Sequence, residues 1–217
     1  MFANLTNRDD LSGMRNTYEC AELLEENTPV SPFILFNTWF DEAKKSTILE
    51  ANAMVIASAD KNAKPSARMV LLKNIFDEKG FVFYTNYESR KGIELNENPQ
   101  VAILFHWDEQ ERQVRIEGVV EKLDEKLSDE YFLSRPVGSQ LGAIASPQSQ
   151  VIENKQELEN LFEQANKLQK ITRPINWGGY IVVANKIEFW QGRPNRMHDR
   201  IVYEKNNTAW KKYRLAP

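Results

Sequence analysis

Ala53-Met54-Val55-Ile56-Ala57-Ser58-Ala59 is where the chain changes period, from helical spacing to the β-branched content of a strand. Runs of the same character follow at Ser66 to Phe76, Phe81 to Asn86, Val101 to Trp107 and Arg112 to Leu123. Turn signals at Asp60-Lys-Asn-Ala63, Asp77-Glu-Lys-Gly80 and Asp108-Glu109 separate most of them, since Asp, Asn and Gly accept the backbone conformations of tight turns. Strands joined by such short connections pair antiparallel, so this part of the chain reads as a meander or barrel. A helix from Asn86 to Asn98, ended by Pro99, interrupts it.

Working outward, Ser31-Pro32 supplies an N-cap and a first-turn proline, and Phe33, Phe36, Phe40 and Ala43 follow at helical spacing, which predicts a helix over about 32–46. Residues 1–30 are polar, with an acidic stretch from Glu19 to Glu26, and read as a mobile arm carrying a short helix. On the other side, Asp124 to Ser134 reads as a helix stopped by Pro136. Asn154 to Gln169 reads as an amphipathic helix whose stripe of Leu158, Leu161, Phe162, Ala165 and Leu168 is expected to be core packing. Trp177-Gly178-Gly179 leads into a strand from Tyr180 to Gln191, followed by strands from Arg196 to Glu204 and from Trp210 to Leu215. No repeat or linker divides residues 31–217, so the expectation is a single α+β domain, mainly antiparallel β-barrel decorated by helices, behind the arm.

With 217 residues, 41% of them hydrophobic, the chain is long enough to bury a core without staples. Cys20 is the sole cysteine and His106 and His198 the only histidines, so an internal disulfide and a Cys/His zinc site are excluded and no metal is expected. The longest apolar runs, such as Val101 to Phe105, are far shorter than the ~18 residues of a membrane span, so no membrane partner is expected. The opening residues lack a basic and then apolar leader, which sets the expectation of a cytoplasmic protein. A net charge of -3, with cations in small clusters, argues against nucleic acid and for small anions. Neither a Rossmann nor a P-loop glycine pattern is present, and Gly138-Ser139-Gln-Leu-Gly142 is not a nucleophile elbow. His198 and Asp199 are adjacent and would face opposite sides of a strand, a poor start for a serine triad.

Four constellations could carry chemistry. Arg68-Met-Val-Leu-Leu-Lys73 places cations of opposite parity at the ends of an apolar run, so they serve different anions unless the strand bends; two solvated strand-end charges is the plain alternative. Ser89-Arg90-Lys91 opens a helix, where free N–H groups and two cations could meet one phosphate, or could be exposed helix-end charges. Tyr131 and Arg135 share a helix face with the loop residue Ser139 just beyond, a trio suited to a second phosphate or carboxylate, or an ordinary exposed face. Arg196, His198 and Arg200 alternate, so an extended chain aims all three to one side, close to Trp190; an edge strand blunted by charge is the alternative.

Taken in order, Arg68-Met-Val-Leu-Leu-Lys73, Phe83-Tyr-Thr-Asn86, Ser89-Arg-Lys91, Glu111-Arg-Gln113, Tyr131 with Ser134-Arg-Pro136, Ser139-Gln140, Gln148-Ser149, Trp177-Gly-Gly179, Glu188-Phe-Trp-Gln-Gly192, His198-Asp-Arg200 and Arg214-Leu-Ala-Pro217 closely resemble the pyridoxine/pyridoxamine 5'-phosphate oxidase family. The resemblance runs from about residue 14 to 217; each motif alone is weak and the ordered set is specific. It implies a split β-barrel and a homodimer with FMN between subunits. It implies FMN contacts from Arg68, Met69, Val70, Leu71, Leu72, Lys73, Tyr84, Thr85, Arg90, Lys91, Gln113, Gln148, Ser149, Trp190 and Arg200. Lys73, Tyr131, Arg135 and Ser139 would take the substrate phosphate, and Arg196 and His198 would lie over the pyridine ring as the catalytic pair. Arg15 and Tyr18 match an R-x-x-Y element that closes over substrate, which makes the arm a lid.

The implied reaction oxidises pyridoxine 5'-phosphate or pyridoxamine 5'-phosphate to pyridoxal 5'-phosphate by hydride transfer from C4' to FMN, with O2 as final acceptor giving H2O2, and ammonia from the amine. The alternatives are another flavin oxidoreductase on the same barrel and a non-catalytic FMN or pyridoxal-phosphate binding protein. The chain departs from the family pattern at Leu23-Leu-Glu-Glu26, where some relatives are arginine-rich, at Ala51 and Gln150, and in a shortened loop at 170–176.

Overall fold

The computed structural model describes Tyr18, residues 21–76 and residues 78–217, so Arg15 and Cys20 lie outside the described residues. Its strands are β1 (Ala53–Ala59), β2 (Pro65–Leu71), β3 (Asn74–Phe76), β4 (Gly80–Asn86), β5 (Gln100–Trp107), β6 (Arg112–Lys122), β7 (Trp177–Gln191), β8 (Asp199–Asn206) and β9 (Ala209–Arg214). The helices are α1 (Pro32–Lys45), α2 (Arg90–Glu97), α3 (Glu125–Ser134), α4 (Val137–Ala145) and α5 (Lys155–Asn166). Among the described residues the nine strands form one sheet in the order β2-β1-β5-β6-β7-β4-β3, with β8 on β7 and β9 on β8. Every pairing is antiparallel, as the short turns predict.

β7 organises the sheet. One edge pairs with β6 along Tyr180 to Gln191; the other pairs with β4 through Trp177 to Val183 and then with β8 through Lys186 to Gln191. The sheet therefore forks at β7, which is how an antiparallel barrel comes to be split. Alternate residues of β1, β5 and β6 point inward and are buried, the period-2 pattern of a sheet with one covered face.

α1 closes the interior. Ser31 caps it by accepting from the Phe33 N–H. The Phe36 ring lies 4.8 Å from Phe81 and 5.1 Å from Phe105, and Trp39 lies 5.2 Å from Phe189, so one helix face packs on β4, β5 and β7 together.

Several expectations are corrected. The run from Ser66 to Phe76 is two strands: the Leu72 N–H bonds to the Asn52 carbonyl and the Lys73 N–H to the Val82 carbonyl, so the chain leaves β1 for β4 at that step. The chain therefore bends between Arg68 and Lys73, one of the two alternatives that their opposite parity left open. Pro136 does not merely stop α3. It stands at the N-cap of α4, with its carbonyl accepting from Ser139 and Gln140, so Ser139 sits in a first helical turn and not in a loop. The last strand pair begins at Asp199 and not at Arg196, because Asn195 and Arg196 adopt left-handed backbone (φ 56° and 62°) in a turn closed by the Met197 N–H on the Pro194 carbonyl. The stripe on α5 is only partly core: Ala165 is buried in a small cluster with Leu141 and Ala145, while Phe162 stays 40% exposed.

Candidate active site

A cleft of about 460 Å³ opens between β2, β4, α2, α3 and α4. Met69, Val70, Leu71 and Lys73 line one side, Tyr84, Thr85 and Lys91 another, and Tyr131, Arg135, Pro136, Ser139, Gln148 and Trp177 the rest. Three rings form its floor. Tyr84 stacks on Tyr131 at 3.8 Å and on Trp177 at 5.6 Å, and the Tyr131 and Trp177 planes differ by 5°. Glycines let this floor close: a Cβ on Gly179 would come within 2.8 Å of the Tyr84 ring, and one on Gly178 within 2.2 Å of the Tyr87 hydroxyl.

Cations stand around the rings. The Arg135 guanidinium carbon lies 4.7 Å from the centre of the Trp177 ring, and its Nη1 is buried with no hydrogen-bond partner. Burial pushes the Arg135 pKa down. Lys91 donates to Gln148 Oε1 at 2.7 Å, to Thr85 Oγ1 at 3.0 Å and to Ser89 Oγ at 3.3 Å. Burial, reinforced by Arg68, lowers its pKa to about 8 against an opposing pull from Glu94. Behind Lys91, Glu94 of α2 accepts from Arg68 at 3.0 Å and from Arg90 at 2.9 Å.

A second region lies at the far end of β7. Gln113 on β6, Trp190 on β7 and Arg200 on β8 are register partners and form one row across three strands. Arg200 grips the buried Glu188 through Nε (2.9 Å) and Nη2 (3.1 Å) and bonds the Ala216 carbonyl through Nη1. The His198 ring is 4.6 Å from Trp190 and 5.5 Å from Tyr18, which in turn meets Trp190 edge-on at 5.8 Å. The Arg193 N–H donates to His198 Nδ1 at 3.1 Å, so the neutral ring carries its proton on Nε2. Burial first, then Arg196, depress the His198 pKa, with Asp199 opposing. Residues 21–25 are tied beside this region: the Leu23 N–H bonds Asp199, and Arg214 bonds Glu25, Asp199 and the Leu23 carbonyl.

The expected residues thus fall into two groups. The cleft gathers Met69 to Leu71, Lys73, Tyr84, Thr85, Lys91, Tyr131, Arg135, Ser139 and Gln148, with Arg68 and Arg90 joined through Glu94. Gln113, Trp190, Arg196, His198, Arg200 and Tyr18 belong to the other end. Leu72 faces the core and offers the cleft no side chain, and Ser149 holds a left-handed turn beside Gln148 without lining the cleft. Sequence reasoning gave no role to Trp177, Glu94 or Glu188. Trp177 stands out in the sequence only as part of Trp-Gly-Gly; the i,i+4 pair Arg90 and Glu94 is visible there but reads as a surface ion pair.

The split antiparallel barrel that carries this cleft and this row is a fold that solved structures share. PhzG from Burkholderia lata, solved in complex with tetrahydrophenazine-1-carboxylic acid, superposes with a TM-score of 0.86 at 28% identity, over 92% of this chain and 100% of that one. A pyridoxamine 5'-phosphate oxidase-related, FMN binding protein from Nostoc punctiforme superposes at 0.71 and 14% identity, over 88% of this chain and 100% of that one.

Residues 40–169 match the family model described as pyridoxamine 5'-phosphate oxidase, and residues 177–217 match the pyridoxine 5'-phosphate oxidase C-terminal dimerisation region. The chain is 49% identical to the pyridoxine/pyridoxamine 5'-phosphate oxidase of Rubrobacter xylanophilus, covering 97% of this chain and 98% of that protein. It is 50% identical to that of Leptospira interrogans, covering 95% and 98%. Against the chloroplastic pyridoxine/pyridoxamine 5'-phosphate oxidase 1 of Arabidopsis thaliana it is 50% identical over 96% of its own length but spans only 41% of that longer protein. The chain belongs to the pyridoxine/pyridoxamine 5'-phosphate oxidase family.

Proposed function

We propose that the chain is an FMN-dependent oxidase, acting in the cytoplasm as a homodimer, that converts pyridoxine 5'-phosphate and pyridoxamine 5'-phosphate to pyridoxal 5'-phosphate. The observation that carries this reading is the unpartnered guanidinium nitrogen of Arg135 in a cleft that also holds Lys73 and Lys91. A buried donor left without an acceptor costs about 1–3 kcal/mol, a cost that a bound anion removes. The donor set fits two phosphorylated compounds: Arg68, Arg90 and Lys91 for the phosphate of FMN, and Lys73, Tyr131, Arg135 and Ser139 for that of the substrate. When bound, FMN supplies the redox chemistry, taking the hydride from C4' and passing electrons to O2.

The chain's own part is placement. His198, held by the Arg193 N–H as the Nε2–H form with a lowered pKa, is a neutral donor suited to the phenolic oxygen of the pyridine ring, and Arg196 adds a positive charge beside it. The two groups of residues also bear on assembly. Trp177 in the cleft and Trp190 in the row are thirteen residues apart on one strand, roughly 40 Å of chain at about 3.3 Å per residue. With the two at opposite ends of one continuous strand, the reading is that a small ligand meets them in different copies, in keeping with the dimerisation region matched at 177–217. FMN would then lie between subunits, in the cleft of one protomer and against Gln113, Trp190 and Arg200 of the other. Tyr18 is in contact with His198, which supports a lid role for the segment carrying Arg15 and Tyr18.

The test is to purify the protein, record the flavin absorbance, and follow peroxide release with each phosphorylated vitamer and with its unphosphorylated counterpart. Yellow protein with phosphate-dependent peroxide release is expected. A colourless protein that cannot be loaded with FMN removes the reading, and a flavin-loaded protein without substrate-dependent oxygen uptake leaves only a binding protein.

A further inference from the structure

Glu94 is out of place for an ordinary helix residue. It lies on α2 yet is only 4% exposed, and both oxygens of its carboxylate are engaged. Oε2 accepts from Ser58 at 2.6 Å, from Ser66 at 2.5 Å and from Arg68 Nη2 at 3.0 Å, and Oε1 accepts from Arg90 Nε at 2.9 Å. Arg68 is held further by the hydroxyls of Ser58 and Ser66. Burial alone would raise the Glu94 pKa, but the bonds from Ser58, Ser66, Arg90 and Arg68 outweigh it and hold the group at about 2, so it is ionised at any working pH. A buried charge is tolerated only when paired and hydrogen-bonded, and this one binds two strands and a helix into a single unit.

We propose that Glu94 is the positioning residue of the flavin-phosphate site, clasping Arg68 and Arg90 in the orientation in which they meet the phosphate. The proposal rests on the functional reading above. Charge counting supports it. Arg68, Arg90 and Lys91 against Glu94 leave a local charge of +2, which matches a phosphate monoester of about −1.5 to −2 at neutral pH. The sign of the effect is what makes the idea testable. Deleting the negative charge while geometry stayed intact would tighten the binding of an anion. Deleting the clasp frees two long side chains, next to each other and to Lys91, to move apart and away from the phosphate. Without Glu94 the Lys91 ammonium also loses the neighbour that favours its charged form, so the expected electrostatic gain is partly cancelled. Loss of orientation is therefore the larger effect.

The experiment compares FMN with riboflavin, which lacks the phosphate, by quenching of flavin fluorescence on apo-protein prepared from wild type, Glu94→Gln and Ser66→Ala. Wild type binds FMN much more tightly than riboflavin. In Glu94→Gln the Kd for FMN rises by at least about tenfold, the equivalent of one charge-assisted hydrogen bond, while riboflavin binding is unchanged. Ser66→Ala, which keeps the charge and removes one hydroxyl from the clasp, shifts FMN in the same direction by a smaller factor. FMN binding as tight as wild type or tighter in Glu94→Gln overturns the proposal, as does an equal loss of FMN and riboflavin, which marks a merely structural residue. If Glu94→Gln yields no folded protein, the FMN-to-riboflavin ratio of Ser66→Ala decides by the same criteria. Wild-type protein that binds no FMN is a different failure: it removes the functional reading and this proposal with it.

Discussion

The cleft and the β6–β7–β8 row use one device for opposite purposes. In each, a buried glutamate holds two arginines: Glu94 takes Arg68 and Arg90, and Glu188 takes Arg115 and Arg200. Around Glu94 the neighbouring Lys91 bonds only neutral oxygens, and across the cleft Arg135 keeps a nitrogen unpaired, so positive charge and donors are left over. Around Glu188 little is left over. Arg200 has bonds to protein from Nε and both terminal nitrogens, and the Arg115 Nε, though it makes no hydrogen bond, faces a Glu117 oxygen at 3.5 Å, so its charge is matched. What this region offers a ligand is the aromatic group of Trp190, His198 and Tyr18. An arginine count therefore does not mark an anion site. The positive charge that no carboxylate matches does.

The comparison can be broken at its base. Phe36 is fully buried in the core of the sheet that carries both regions, against Phe81 and Phe105, so Phe36→Ala should cost about 3–5 kcal/mol and lower both together. Denaturant unfolding followed by tryptophan fluorescence and by flavin release should show one coincident transition; two transitions would mean that the regions are separate folding units. Next in size, Arg196→Ala should lower kcat by about a hundredfold, as loss of one preorganised donor to the transition state commonly does, with flavin absorbance retained. Near-normal turnover would remove Arg196 from the chemistry.

Arg135→Ala should act on the other region, raising KM for the phosphorylated substrate by about tenfold or more with a smaller change in kcat. Mixing the two damaged proteins under conditions that let subunits exchange then sharpens the contrast. If each site takes its cleft from one copy and its row from another, half of the dimers become mixed and each carries one undamaged site, giving about a quarter of wild-type activity. Activity no greater than the sum of the two parents would place both regions in the site of one copy. The smallest effect is on pH. Lys91 titrates near 8 in the free protein, and it must be charged to hold an anion. FMN affinity should therefore be level from about pH 7, where the FMN phosphate holds its second charge, up to that pH, and fall above it by up to about tenfold per unit. A titration series with Lys91→Arg, which stays charged, should lack the inflection.

Much of this fold was legible in the chain. Ser31-Pro32 and the phenylalanines after it announce α1, and alternation in Val101 to Trp107 and Arg112 to Leu123 announces β5 and β6, because those segments bury one face against a common core. α4 was missed since proline ends one helix as readily as it begins the next, and local sequence does not say which. The left-handed turn at Asn195 and Arg196 was missed because a non-glycine residue there is set by its surroundings and not by its own preference. For the site, charge clusters and ring residues were readable one by one, and the ordered motifs joined them. Glu94 was not, because its importance lies in burial against Ser58 and Ser66, far upstream in the chain, which no local pattern reports.

The uninterrupted length of β7 has a consequence in genetics. If the cofactor is held between two copies, as proposed above, a chain harmed at one end of that strand still lends the other end, intact, to its companion. Two alleles with lesions on opposite sides of the protein could then rescue one another in the same cell, whereas two lesions on the same side could not, and a cross between such strains would map the strand without any structure at all.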